Sequence, residues 1–182
     1  MVDRLATLFS LYIKSKVADS RSIEVINYGM IIIFNLLFTI AMSFSIALLL
    51  GILEKTLIVF VVFVLFRQFA GGYHLKNCDA CVITSTIILI AIPYIDLNIQ
   101  LEILDVLSIL LVLWLAPNTK KFTKRSDSRR YIIYKVVPAV LILFNVIVIK
   151  SSLVSLTLFT ASLSLLLAHV RDWVELRNVH AN

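Results

Sequence analysis

Helix breakers, cysteine, histidine and acidic side chains are all scarce in this chain. Its 182 residues include four glycines and three prolines, so its apolar runs continue with few interruptions. Two cysteines, both within one short stretch, cannot make a disulfide framework. No cleavable signal peptide is apparent, because the first apolar run starts near Gly29 after a long polar lead. The net charge of +6 comes without an aromatic and basic reading surface, which argues against nucleic acid as a partner. No internal repeat is visible.

What the chain has in excess is apolar surface. It is 60% hydrophobic with a mean hydropathy of +0.99, against about 45–50% apolar residues in a soluble domain. This predicts an all-α integral membrane protein, in contact with lipid and organised as one domain over 1–182. Residues 1–16 read as an amphipathic helix lying in the interface plane, within an N-terminal segment 1–20. Val2, Leu5, Phe9, Tyr12 and Ile13 recur there at helical spacing. Six apolar runs follow. The first helix runs from about Ser22 to Leu50, roughly 43 Å at 1.5 Å per residue, beyond the ~30 Å hydrocarbon core. The second, Thr56 to Phe66, crosses only if the helix continues to Ala70 with Arg67 reaching the interface. Ala80–Tyr94, Ile103–Leu115, Tyr131–Ile149 and Leu153–Val170 are the other four. The polar residues Asn35, Thr39, Ser43 and Ser45 within the first read as interhelical packing.

Lysine and arginine set the orientation. With six crossings and a cytoplasmic N-terminus, fifteen of the seventeen basic residues lie inside and only Lys55 and Lys150 outside. Both termini, the segment 67–80 and the basic loop 116–130 are then cytoplasmic.

The segment 67–80, with Cys81 after it, gathers most of the chemistry. Gly71-Gly72 lets the chain leave helical geometry and turn. His74 and Cys81 are seven residues apart. In one continuous helix they would share a face but sit about 10 Å apart along the axis, whereas proton transfer needs about 3 Å. A working pair therefore requires 74–79 to fold back as a loop. Asn77 and Asp79 suit the cap of a helix starting near Ala80, which puts Cys81 in its first turn. A helix N-terminus and a neighbouring imidazolium both favour the thiolate, and the free N–H groups there could hold an oxyanion.

Three other readings compete. Cys78-x-x-Cys81 is a thiol redox spacing, opposed by its cytoplasmic side and by the lack of a second cysteine pair to relay electrons. His74, Cys78 and Cys81 could ligate a metal, but a fourth ligand is missing unless Asp79 serves. Two cysteines with no task would leave the Gly-Gly break and His74 unexplained. The residues call for no cofactor.

Arg67-x-x-x-Gly71-Gly72-x-His74 with Cys81 seven residues on resembles the core motif of the accessory gene regulator B (AgrB) family. Ala116-Pro117 followed by Lys120-Lys121, the early Glu24…Tyr28, the length and the six runs also fit. The resemblance covers essentially the whole chain and implies a multi-pass membrane cysteine endopeptidase of a Gram-positive bacterium. It would cut the C-terminal tail from a quorum-sensing propeptide like AgrD and promote ring closure to a thiolactone or lactone. By motif position Cys81 is the nucleophile and His74 its base, with Arg67, Gly71 and Gly72 in support. Cys78 is outside the pattern, so it is expected to be dispensable. Family likeness also implies a homodimer. No third triad member is evident among Gln68, Asn77, Asp79 and Ser85; Ser85 shares the helical face of Cys81, but a back-bonding helix serine explains it as well. Lys120, Lys121 and Lys124 either serve topology and anionic lipid or draw in the acidic tail of such a propeptide.

Overall fold

A computed structural model describes residues 1–17, 22–73, 75, 77–95, 101–116 and 128–180, the side chains of 101, 128–131, 175, 176 and 178–180 excepted. Among these residues the fold is all-helical. In chain order the helices are α1 (Val2–Lys16), α2 (Ile23–Leu49), α3 (Leu53–Ala70), α4 (Cys78–Tyr94), α5 (Leu101–Leu115), α6 (Ser128–Phe144) and α7 (Ser152–His180). A π-helical turn, Asn145–Ile149, continues α6. Three stretches are long and apolar enough to cross a membrane: Ile23–Leu49, Ile132–Ile149 and Ser152–Val174. Helix α4 is apolar but shorter. Helix α3 carries Glu54 and Lys55 at one end and Arg67 at the other. At 15 residues α5 spans about 22 Å.

The chain divides into two compact units. The first comprises Met1–Thr56 and Leu75–Ala91. Here α1 packs on α2, with Phe9 edge-on to Phe34 at 5.2 Å between centroids. The buried stripe of α1 is Val2, Ala6 and Ser10, while Leu8, Phe9, Leu11 and Tyr12 remain exposed. Of the residues that recur at helical spacing, Val2 is buried while Phe9 and Tyr12 are exposed. Small residues let two helix backbones approach closely, so the large side chains are left on the outside. Helix α2 likewise buries Thr39, Ser43 and Ala47, in keeping with a packing role for Thr39 and Ser43, and leaves Ile32, Ile33, Leu36 and Leu37 exposed. Such a surface is costly in water and suited to hydrocarbon. Gly51, at φ 68°, ends α2.

The second unit comprises Leu57–His74 and Ile92–Asn182. Helix α5 packs between α6 and α7. The most buried apolar residues of α7 are Val154, Leu158, Ala161, Leu165 and Ala168, alternating in threes and fours along one face. Hydroxyls on the helices bond back to their own carbonyls, such as Thr157 Oγ1 to Leu153 at 2.7 Å and Ser162 Oγ to Leu158 at 2.8 Å. A backbone group or hydroxyl left unbonded in hydrocarbon costs several kcal/mol by order of magnitude, and back-bonding avoids that.

One polar network ties α5, the π-turn and α7 together. Ser155 Oγ donates to Asp105 Oδ2 at 2.9 Å, and Asn145 Nδ2 donates to Ser155 Oγ at 2.7 Å. All three residues are buried. Lys150, in the left-handed region at φ 50°, closes the π-turn with its N–H on the Asn145 carbonyl. The second oxygen of Asp105 has no partner among the described residues. Ser155→Val would deprive both neighbours and should cost about 1–3 kcal/mol. A lowered thermal midpoint in detergent, partly restored by adding Asp105→Leu, is the expected result.

Candidate active site

In the second unit the site begins where α3 stops. Gly71 takes φ 85° and donates its N–H to the Arg67 carbonyl at 3.0 Å. A left-handed residue in that place ends a helix and favours glycine. Arg67, in the last turn, is half-buried over the Phe63 ring, with its guanidinium carbon 5.3 Å from the centroid. Its Nη2 donates to the Tyr73 carbonyl at 2.8 Å. The side chain expected to reach out to the interface thus ties down its own loop. The Tyr73 N–H donates to the carbonyl of Ser164 on α7 at 3.1 Å. Arg171, one α7 turn beyond Leu167, lies over the Tyr73 ring at 5.0 Å and pairs with Asp172 at 3.2 Å. A Cβ at Gly72 would meet Ser164 Oγ at 2.8 Å and Arg67 Nε at 3.1 Å. The second glycine is needed for space against α7.

In the first unit α4 begins at Cys78, two residues earlier than Ala80. Asn77 is the cap: its Oδ1 accepts the Asp79 N–H at 3.0 Å. Cys81 is buried in the first turn, as its spacing predicts, and donates its N–H to the Asn77 carbonyl at 3.1 Å. The N–H groups of Cys81 and Asp79 are therefore occupied and are not oxyanion donors in this arrangement. Ser85 is half-buried one turn further on.

Cys78 and Asp79 precede the apolar run of α4 and meet the start of α1. Asp79 accepts the Val2 N–H at 2.9 Å and pairs with the Met1 ammonium. These contacts hold its carboxyl below the usual range, hydrogen bonding to the ammonium being the largest cause. Burial, followed by a hydrogen bond with Asp3, pushes the Cys78 thiol up to about 11. Both cysteines are free thiols, but Cys78 is held protonated at neutral pH.

The residues singled out from sequence are thus distributed. Arg67, Gly71 and Gly72 meet in the second unit; Cys81 and Ser85 lie on α4 in the first. His74, Lys120, Lys121 and Lys124 lie outside the described residues. Ser164 and Arg171 were not singled out. A serine among leucines at 165–167 carries no local mark of a partner in another helix's loop.

Alkylation rate follows the thiolate fraction. In a Cys81→Ser background, Cys78 at pH 8 should therefore react about a hundred-fold more slowly with iodoacetamide than an ordinary exposed thiol. Asp3→Asn should speed it, because Asp3 is one of the groups that keep the proton on. The sign follows from the raised pKa: reactivity grows as pH climbs towards 11.

The model of the family described as accessory gene regulator B matches residues 6–171. Among curated proteins, FsrB of Enterococcus faecalis is 33% identical over 97 residues, covering 50% of this chain and 40% of FsrB. A putative AgrB-like protein of Halalkalibacterium halodurans is 30% identical over 96 residues, covering 52% of this chain and 49% of the relative. The chain thus spans about half or less of the length of these two relatives. No solved structure matches. With the family model covering nearly all of the sequence, the chain belongs to the AgrB family.

Proposed function

We propose that this protein is a membrane-embedded cysteine endopeptidase that removes the C-terminal tail of a quorum-sensing propeptide and promotes its cyclisation. One observation carries most of the reading. In the sequence His74 stands between two chain breaks, the left-handed Gly71 and the Asn77 cap, and Cys81 follows the second. The second break leaves a buried cysteine in the first turn of a helix. Membership of the AgrB family supplies the substrate class, an AgrD-like propeptide.

In this reaction the Cys81 sulfur attacks the scissile carbonyl carbon as His74 takes the thiol proton. His74 then returns that proton to the amine of the departing tail, leaving an acyl-enzyme thioester. A thiol or hydroxyl within the propeptide attacks the thioester and closes the ring, and Cys81 regains its proton. Thioester exchange is nearly isoenergetic, so exclusion of water decides between ring and hydrolysis.

The reading extends to six crossings with an interfacial α1, both termini and the loop cytoplasmic, and a homodimer as the family implies. It treats 1–182 as one domain in the cell membrane of a Gram-positive bacterium. Lysines 120, 121 and 124 would attract an acidic propeptide tail. Changing all three to Gln should lower cleavage of an acidic-tailed propeptide more than that of a neutral-tailed one. Equal effects on both would remove that role.

The redox alternative needs Cys78 as an attacking or leaving thiolate, and its raised pKa works against both. Co-expression with the cognate propeptide separates the readings. Cys81→Ser should abolish cleavage, His74→Ala should reduce it by about 10²–10⁴-fold, and Cys78→Ser should leave it in place. Equal loss in both cysteine variants would instead support a thiol pair, and no loss in either would point to a scaffold.

A further inference from the structure

We infer that Ser164 and Arg171 of α7 are positioning residues that hold Tyr73, and through it the adjoining His74, in the arrangement that the proposed His74–Cys81 reaction uses. The inference rests on that reading of the reaction. It starts from how fully Tyr73 is held. Its N–H is bound to the Ser164 carbonyl at 3.1 Å. Its C=O, which is half of the peptide bond to His74, accepts a charge-assisted bond from Arg67 at 2.8 Å. Its ring carries the Arg171 guanidinium at 5.0 Å, a cation–π contact. Two backbone bonds and one ring contact fix a loop residue, and two of the three come from α7.

Size matters as much as bonding. The loop can reach the Ser164 carbonyl only because position 72 has no side chain and position 164 has a small one. The Ser164 hydroxyl is turned onto its own helix, donating to the Ala161 carbonyl at 2.7 Å. With Ser164 Oγ already 2.8 Å from where a Cβ at 72 would sit, a longer side chain at 164 has to push the loop away. Displacement of Tyr73 is passed to His74 through one peptide bond. Proton transfer is sensitive to errors of about 1 Å, so rate suffers before binding does.

The test uses the full-length protein in nanodiscs in a Cys78→Ser background. It measures kcat and KM for a synthetic propeptide and the pH profile of Cys81 alkylation, beside His74→Ala. Ser164→Leu and Arg171→Ala are expected to lower kcat about 10–100-fold with KM little changed, and to move the alkylation profile towards that of His74→Ala. Ser164→Ala and Arg171→Lys, which keep the size or the charge, should lose several-fold less. A size-exclusion profile and thermal midpoint accompany each variant, and Arg171→Ala carries the test where Ser164→Leu does not fold. If His74→Ala shifts the profile but Ser164→Leu and Arg171→Ala leave it at wild type, positioning by α7 is refuted while the His74–Cys81 reading stands. If His74→Ala itself changes neither cleavage nor profile, both fall together.

Discussion

A loop inside an apolar chain must find partners for its own backbone, and the Arg67 bond to the Tyr73 carbonyl is where this protein meets that demand. Within the helices each N–H finds a carbonyl four residues back. At Gly71 the ladder of α3 stops, and the residues that follow need other partners. Arg67 brings a permanent charge and several donors to one side of Tyr73. The α7 backbone takes the other side. Gly71 makes the turn and Gly72 gives the space, so three neighbouring motif positions serve one purpose. Arginine and two glycines are thereby explained by chain geometry before any catalytic role is assigned to them.

On the α4 side the same economy appears. Asn77 caps the helix, Asp79 receives the start of α1, and Asp3 engages Cys78. Two cysteines that look equivalent in the sequence end up with different chemistry. Cys78 is half-buried beside a carboxylate, and Cys81 is buried in a helical first turn. Two carboxylates have opposite duties there: Asp79 on α4 fixes the start of α1, and Asp3 on α1 holds a proton on the Cys78 sulfur.

Much of this was legible in advance. The helix ends fell where breakers and caps lie: α3 stops at Ala70 before Gly-Gly, and Cys81 sits in a first turn behind Asn77. The two-residue error at the start of α4 arose because either Asn77 or Asp79 can cap. Spacing marks α1 as amphipathic but does not say which residues are buried: the small Ala6 and Ser10 pack inside, while the large Phe9 and Tyr12 stay outside. The six apolar runs were recognisable as helices, and among the described residues three stretches are long and apolar enough to cross by length and composition. Ser164 and Arg171 could not be found, because a backbone carbonyl and a ring contact between residues distant in sequence leave no pattern in either segment.

The Asp105–Ser155 bond takes on a second meaning once the far end of α7 is considered. Both ends of the helix lie in the second unit. From Ser155 to Ser164 the helix rises about 13 Å, so the buried network fixes the height at which the Ser164 carbonyl is presented. A slip of one turn along the α5–α7 seam, about 5.4 Å, would carry that carbonyl out of reach of Tyr73. A polar bond distant from the loop therefore acts as a gauge, setting the axial register on which the Tyr73–Ser164 contact depends.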